Sequence, residues 1–171
     1  IALAMERLRW TPMLQGHRTI VVNVPEFRLR AYDNANGQEE PRISMRVIVG
    51  KALDTRTPLF DEDMRYIEFS PYWNVPPSIA RSETIPKIRR DPGYMARNGF
   101  EIVGQGGLQG VLNGTARIRQ KPGRSNALGD IKFVFPNNQN IYLHHTSSPG
   151  LFNRTRRDFS HGCIRVEEPV Q

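Results

Sequence analysis

A succession of short apolar or alternating runs, each cut off within a few residues by glycine, proline or asparagine, points this chain toward a sheet-based fold. TIVVNV (Thr19–Val24) and FRLRAY (Phe27–Tyr32) flank Pro25, DNANG (Asp33–Gly37) reads as a turn, and RISMRVIVG (Arg42–Gly50) reads as a third strand. MRYIEFSPYW (Met64–Trp73) begins as another strand and ends at NVPPSI, where two prolines stop sheet pairing. Strand character returns at Phe100–Val103, Ala116–Gln120, Ile131–Phe135 and Ile141–His145, and segments such as KPGRSNALGD supply the turn chemistry between them. The sum predicts a mainly β domain, a sandwich or open barrel with few short helices.

Two segments depart from this pattern. Ile1, Met5 and Leu8 fall on one helical face, as in a short helix at the tail of a linker. Arg81–Asn98 is charged and interrupted by proline, which predicts short helices and turns in a capping or lid insertion over the sheet. A length of 171 residues fits one domain, 1–171, with 81–98 inserted in it. The chain starts without methionine, and EEPVQ (Glu167–Gln171) has the acidic residues and proline of a helix start, so it reads as a domain cut at both ends from a longer chain. It contains no run of about 18 apolar residues, so no membrane-spanning segment is expected.

The formal net charge of +7 calls for a negatively charged partner. No helix-turn-helix, zinc-finger spacing or aromatic RNA-binding strand is present and the basic residues are scattered, so nucleic acid is not expected. A cell-wall polymer with free carboxylates accounts for the charge equally well.

The single cysteine, Cys163, excludes an internal disulfide framework. It lies in FSHGCIRVEE, and three of the four histidines, His144, His145 and His161, stand within about twenty residues of it. A packed core thiol is one reading, against which stands its polar, glycine-bearing setting. Zinc is a second, although only the His161–Cys163 spacing is tight and no metal ligation is expected. The third is nucleophilic catalysis. A thiol needs a base or a positive neighbourhood to act as thiolate. His144 supplies the base if its strand runs beside the SHGC turn, and strand periodicity then puts Tyr142 on the same face, with Leu143 and His145 on the other. Gly162 lets backbone N–H groups approach a developing oxyanion. Arg154, Arg156, Arg157 and Arg165 add positive potential, so the thiol is expected to titrate below its ordinary value.

Fifteen residues separate His144 from the SHGC that begins at Ser160. This arrangement resembles the signature of the L,D-transpeptidase catalytic domain, the YkuD-like family. VNVPEFRL, YIEFSPYWNVPPSI, NALGDIKFVFPN and IYLHHT extend the resemblance along most of the chain, toward the long periplasmic Gram-negative members of YcbB type that carry a capping insertion. Many members have asparagine where this chain has Arg165, and aspartate or glycine where it has His145.

The resemblance implies a mostly β fold and a cofactor-free cysteine acyltransferase acting on peptidoglycan stem peptides in the periplasm or cell envelope. It makes Cys163 the nucleophile, His144 the base, and the backbone carbonyl of His145 the group that orients the imidazole. Gly162, Ser160, His161, Arg165 and Tyr142 become site residues. Independently of the resemblance, Trp73, at the end of its strand before NVPP, is placed to wall the site, with a core aromatic as the other reading. The thioester passes to the amine of a second stem, giving a 3→3 cross-link. Water as acceptor would make the protein an L,D-carboxypeptidase, and a lipoprotein lysine would make it an anchoring enzyme. A wall-binding module with vestigial chemistry is the reading from another class. Carbapenems are expected as covalent inhibitors.

Overall fold

The computed structural model describes residues 3, 18–33 and 40–171. The helix expected around Ile1, Met5 and Leu8, the turn residues 34–37, and His17 lie outside the described residues, apart from Leu3 itself.

The larger sheet has eight strands: β1 (Arg18–Asn23), β2 (Arg28–Asp33), β3 (Ile43–Gly50), β4 (Tyr66–Phe69), β8 (Ile131–Val134), β9 (Leu143–His144), β10 (Asp158–Ser160) and β11 (Ile164–Val166). Their order is β1-β2-β3-β11-β9-β8-β4, with β10 paired to the end of β3. The sheet curls into a half-barrel with few short helices around it, as the strand pattern predicts. Neighbours are antiparallel except β9 with β11 and β10 with β3.

Period-two alternation decides which face is which. Leu143, Ile164 and Val166 join Leu29, Met45, Val47, Val49, Phe135 and Ile141 in one buried apolar cluster, with Phe133 packed against it. Lys132, His144 and Arg165, one step along each strand, face the other way. They stand in register, Lys132 opposite His144 and His144 opposite Arg165, and Glu68 pairs with Lys132 one strand further out. A polar row thus crosses four strands on the back of the apolar core.

The run Met64–Trp73 is not one strand. Its chain turns at Ser70, which has φ +49, and at the buried Pro71, so that β4 joins the large sheet and β5 (Trp73–Asn74) joins a second one. That second sheet, in the order β5-β7-β6, contains β6 (Phe100–Gly104) and β7 (Ala116–Gln120). Pro76 and Pro77 end the β5 pairing and open a helical run: α1 (Pro77–Ile79), a π-helical turn (Ala80–Thr84) and α2 (Ile85–Arg90). Then come α3 (Tyr94–Arg97) and, between β6 and β7, α4 (Gly107–Asn113). The helices within 81–98 are therefore part of a larger unit, residues 73–120, with a core of its own built from Val75, Ala80, Ile85, Ile88, Val111 and Ile118.

Candidate active site

The SHGC turn rounds the end of β3. β10 runs parallel beside Val49 and Gly50, and β11 returns antiparallel along Val47 and Ile48, so His161–Cys163 forms a tight link between them. The hydroxyl of Ser160, 2 % exposed, donates to the Cys163 carbonyl at 2.6 Å and accepts the Gly162 N–H at 3.1 Å. Gly162 has φ +122, which favours glycine, and a Cβ there would come within 3.1 Å of Ile141 Cδ1. From below, Thr57 donates its hydroxyl to the Gly162 carbonyl at 2.7 Å and Thr55 donates to the Ser160 carbonyl at 2.9 Å. Gly50 makes room for this brace, because a Cβ at that position would stand 1.9 Å from the Thr55 carbonyl oxygen.

This link delivers Cys163 half-buried beside Tyr142, and the Ile164 N–H donates to the Tyr142 carbonyl at 3.1 Å. The thiol donates weakly to the Asn140 carbonyl at 3.6 Å, and Tyr142 stands close enough to influence its titration. Asn140 is left-handed, φ +55, a conformation asparagine tolerates better than most residues. Burial pushes the thiol above its ordinary value, while Tyr142, Lys132 and Arg165 pull the other way without prevailing. The expected depression of the thiol pKa is thus overturned: desolvation of the thiolate outweighs the nearby cations. Arg156 is also spent elsewhere, holding both oxygens of Asp158 at 2.7 Å.

His144 is 4 % exposed. Burial first and the Arg165 charge second push its pKa down to about 3, against the backbone groups of His145 and Leu128. The imidazole is therefore neutral at pH 7, and Nδ1, set against the His145 carbonyl oxygen, must be the N–H that donates to it. That leaves Nε2 with its lone pair. Tyr142 lies edge-on to this ring, centroids 5.6 Å apart. Burial raises the pKa of the Tyr142 hydroxyl well above the usual phenol range, with the nearby Trp73 indole pulling the other way. Among the described residues, no three His, Cys, Asp or Glu side chains converge to hold a metal ion.

A sequence-family comparison matches residues 17–171 to YkuD, the L,D-transpeptidase catalytic domain. The chain belongs to that family. A curated protein of Haemophilus influenzae, named "Putative L,D-transpeptidase", is 34% identical over 181 residues, covering 100% of this chain and 35% of its own length. The chain thus spans about a third of the relative it matches. Its family acts on peptidoglycan, which suggests an extracytoplasmic setting, and among the described residues no helix is long and apolar enough to cross a membrane.

Within this family domain the residues singled out in the sequence have distinct placements. Cys163, Tyr142, His144 and Arg165 share one sheet face, with Trp73 reaching them from the second sheet. The His145 side chain points away and packs over Gly129. Ser160, expected on the substrate, is buried with its hydroxyl committed to the turn, and the Gly162 N–H, expected near the oxyanion, is occupied by Ser160. His161 faces outward, its Nε2 2.7 Å from Glu83 of the π-helical turn.

Sequence reasoning missed Asn140, Lys132, Glu83, Thr55 and Thr57. Strand alternation offered a signal for Lys132 alone, since it sets that side chain on the His144 face once the two strands pair. The others act through a carbonyl or across long sequence separations.

Proposed function

We propose that this domain is a peptidoglycan L,D-transpeptidase in which Cys163 forms a thioester with the third-position diamino acid of a tetrapeptide stem. The observation that carries the reading is the parallel pairing of β9 with β11, which sets His144 and Tyr142 beside the strand led by Cys163. Sγ attacks the carbonyl carbon as its proton passes to Nε2 of His144. The developing oxyanion is received by the backbone N–H of Cys163, since that of Gly162 is engaged. Collapse breaks the amide bond, and His144 returns the proton to the departing D-alanine amine. The amine of a second stem then attacks the thioester, gives its proton to His144, and leaves a 3→3 cross-link and a restored thiol.

Arg165 supports a carboxylate contact. Its Nε is buried without a hydrogen-bond partner among the described residues, and desolvation lowers its pKa, so an anionic substrate group would find an unspent cation there. The second sheet and its helices support the likeness to YcbB-type members with a capping unit, and Trp73 and Glu83 are the contacts by which that unit meets the thiol's surroundings. A periplasmic location and covalent inhibition by carbapenems belong to the same reading.

Incubation with disaccharide tetrapeptide should give an intact-mass increase on Cys163, released D-alanine and, with acceptor, a cross-linked dimer. Turnover by Cys163→Ala at the wild-type rate would rule the mechanism out. Products with water, a stem amine or a lipoprotein lysine as acceptor separate transpeptidase from carboxypeptidase and anchoring enzyme.

A further inference from the structure

Lys132 has no part in the mechanism above, yet it stands in the polar row between Glu68 and His144. Its Nζ lies 4.6 Å from the centroid of the Tyr142 ring and 3.4 Å from Glu68 Oε2. The lysine is largely covered, 20% exposed at its side chain. Its ammonium therefore rests on the ring of Tyr142, the residue that the β9–β11 register sets beside Cys163.

We propose that Lys132 is a positioning residue for the nucleophile: anchored by Glu68, it clamps the Tyr142 ring so that the phenolic hydroxyl can be directed at Cys163 Sγ during attack. The proposal rests on Cys163 being the nucleophile. Three physical steps support it. A cation over an aromatic face restricts the ring and makes its hydroxyl a stronger donor. A hydrogen bond to sulfur favours the charged form of the thiol. A positive charge in a poorly solvated setting acts over a longer range than one in water.

The charged and titratable groups that face the thiol are Tyr142 and His144, Lys132 on β8 with Glu68 behind it on β4, and Arg165 on β11. His144 is neutral, and Arg165 acts by charge alone, so Lys132 is the cation among these that also holds a hydrogen-bond donor in place.

The test is the pH–rate profile of Cys163 alkylation by iodoacetamide, read by intact mass. K132M should alkylate about threefold to tenfold more slowly at pH 8, with its profile displaced to higher pH, and K132R should stay near wild type. In a Y142F background the K132M effect should shrink, because the clamped donor is gone. E68Q, whose amide oxygen can still accept from Nζ and so keeps the anchor while removing the counter-charge, should displace the profile to lower pH and covers the case in which K132M does not fold. Overlaid wild-type and K132M profiles, K132R as slow as K132M, or an unmoved E68Q profile would overturn the proposal. Alkylation needs no stem peptide, so a domain that alkylates as described but forms no adduct with tetrapeptide would sink the acyl-transfer reading and leave this one standing.

Discussion

His144 and Arg165 stand opposite each other in the parallel register of β9 and β11, an imidazole beside a guanidinium whose Nε has no partner among the described residues. Burial and that neighbouring charge both disfavour imidazolium, and they leave His144 titrating at about 3. The thiol is pushed the opposite way, above its ordinary value. The resting pair is therefore a neutral thiol and a neutral imidazole, not a thiolate–imidazolium ion pair. Both charges would develop only during attack.

The pH dependence of the chemistry follows. Acylation by tetrapeptide, and alkylation by iodoacetamide, should rise with pH through neutrality with no inflection from His144 near its ordinary value. Rate profiles of wild type and His144→Asn check this. An inflection near pH 6.5 in the wild type that vanishes in the variant would show that His144 titrates where a solvated histidine does.

Stability has its own pH signature. The folded pKa of His144, about 3, lies below its unfolded value of about 6.5, so between the two the unfolded chain binds the extra proton. The contribution of this group is whole above pH 6.5 and is lost as pH falls toward 3, with a limiting slope of about 1.4 kcal/mol per pH unit. Denaturant unfolding at pH 7 and pH 4.5 should show His144→Gln losing less stability across that interval than wild type. Equal losses would contradict the assignment.

Ser160→Ala should behave as a structural lesion. It deletes the bond to the Cys163 carbonyl and strands the Gly162 N–H, which costs roughly 1–3 kcal/mol for groups this buried. Unfolding midpoints should fall, and whatever acylation remains should lose kcat with little change in KM. A raised KM at unchanged stability would instead return Ser160 to the substrate.

Glu83→Ala should loosen the helical run that follows β5. The Glu83–His161 contact is partly exposed and contributes at most about 1 kcal/mol to global stability. Its local effect should be visible as faster amide hydrogen exchange across residues 77–97. Unaltered exchange there would mark the contact as incidental.

The strands were legible because alternation and turn residues are local signals: β3, β4, β7 and β8 fall within the runs read from the sequence, and β1, β2 and β6 each overrun theirs by one residue. The unit of residues 73–120 was only partly legible. Charge and proline marked its helices at 81–98, but nothing local said that β5, β6 and β7 would leave the large sheet and pack with them. That depends on the break at Ser70 and Pro71 and on the partners each strand meets. The site divides likewise. Cys163, His144 and Tyr142 could be named from residue type and period, whereas Asn140 and Lys132 count because of what they touch.

By itself the sequence determined the apolar and polar faces of each strand, the presence of a lone thiol in a glycine-bearing turn, and a histidine on a strand that could supply its base. These follow from period-two geometry and residue chemistry. Tertiary structure alone decided the protonation states, because desolvation of Cys163 and His144 depends on what packs around them; at Cys163 it outweighs the cations that sequence reasoning counted, and at His144 it acts together with the Arg165 charge. It also decided which hydrogen bonds remain for substrate, since the partners of Ser160 and Gly162 exist only once the turn has closed over Thr55 and Thr57.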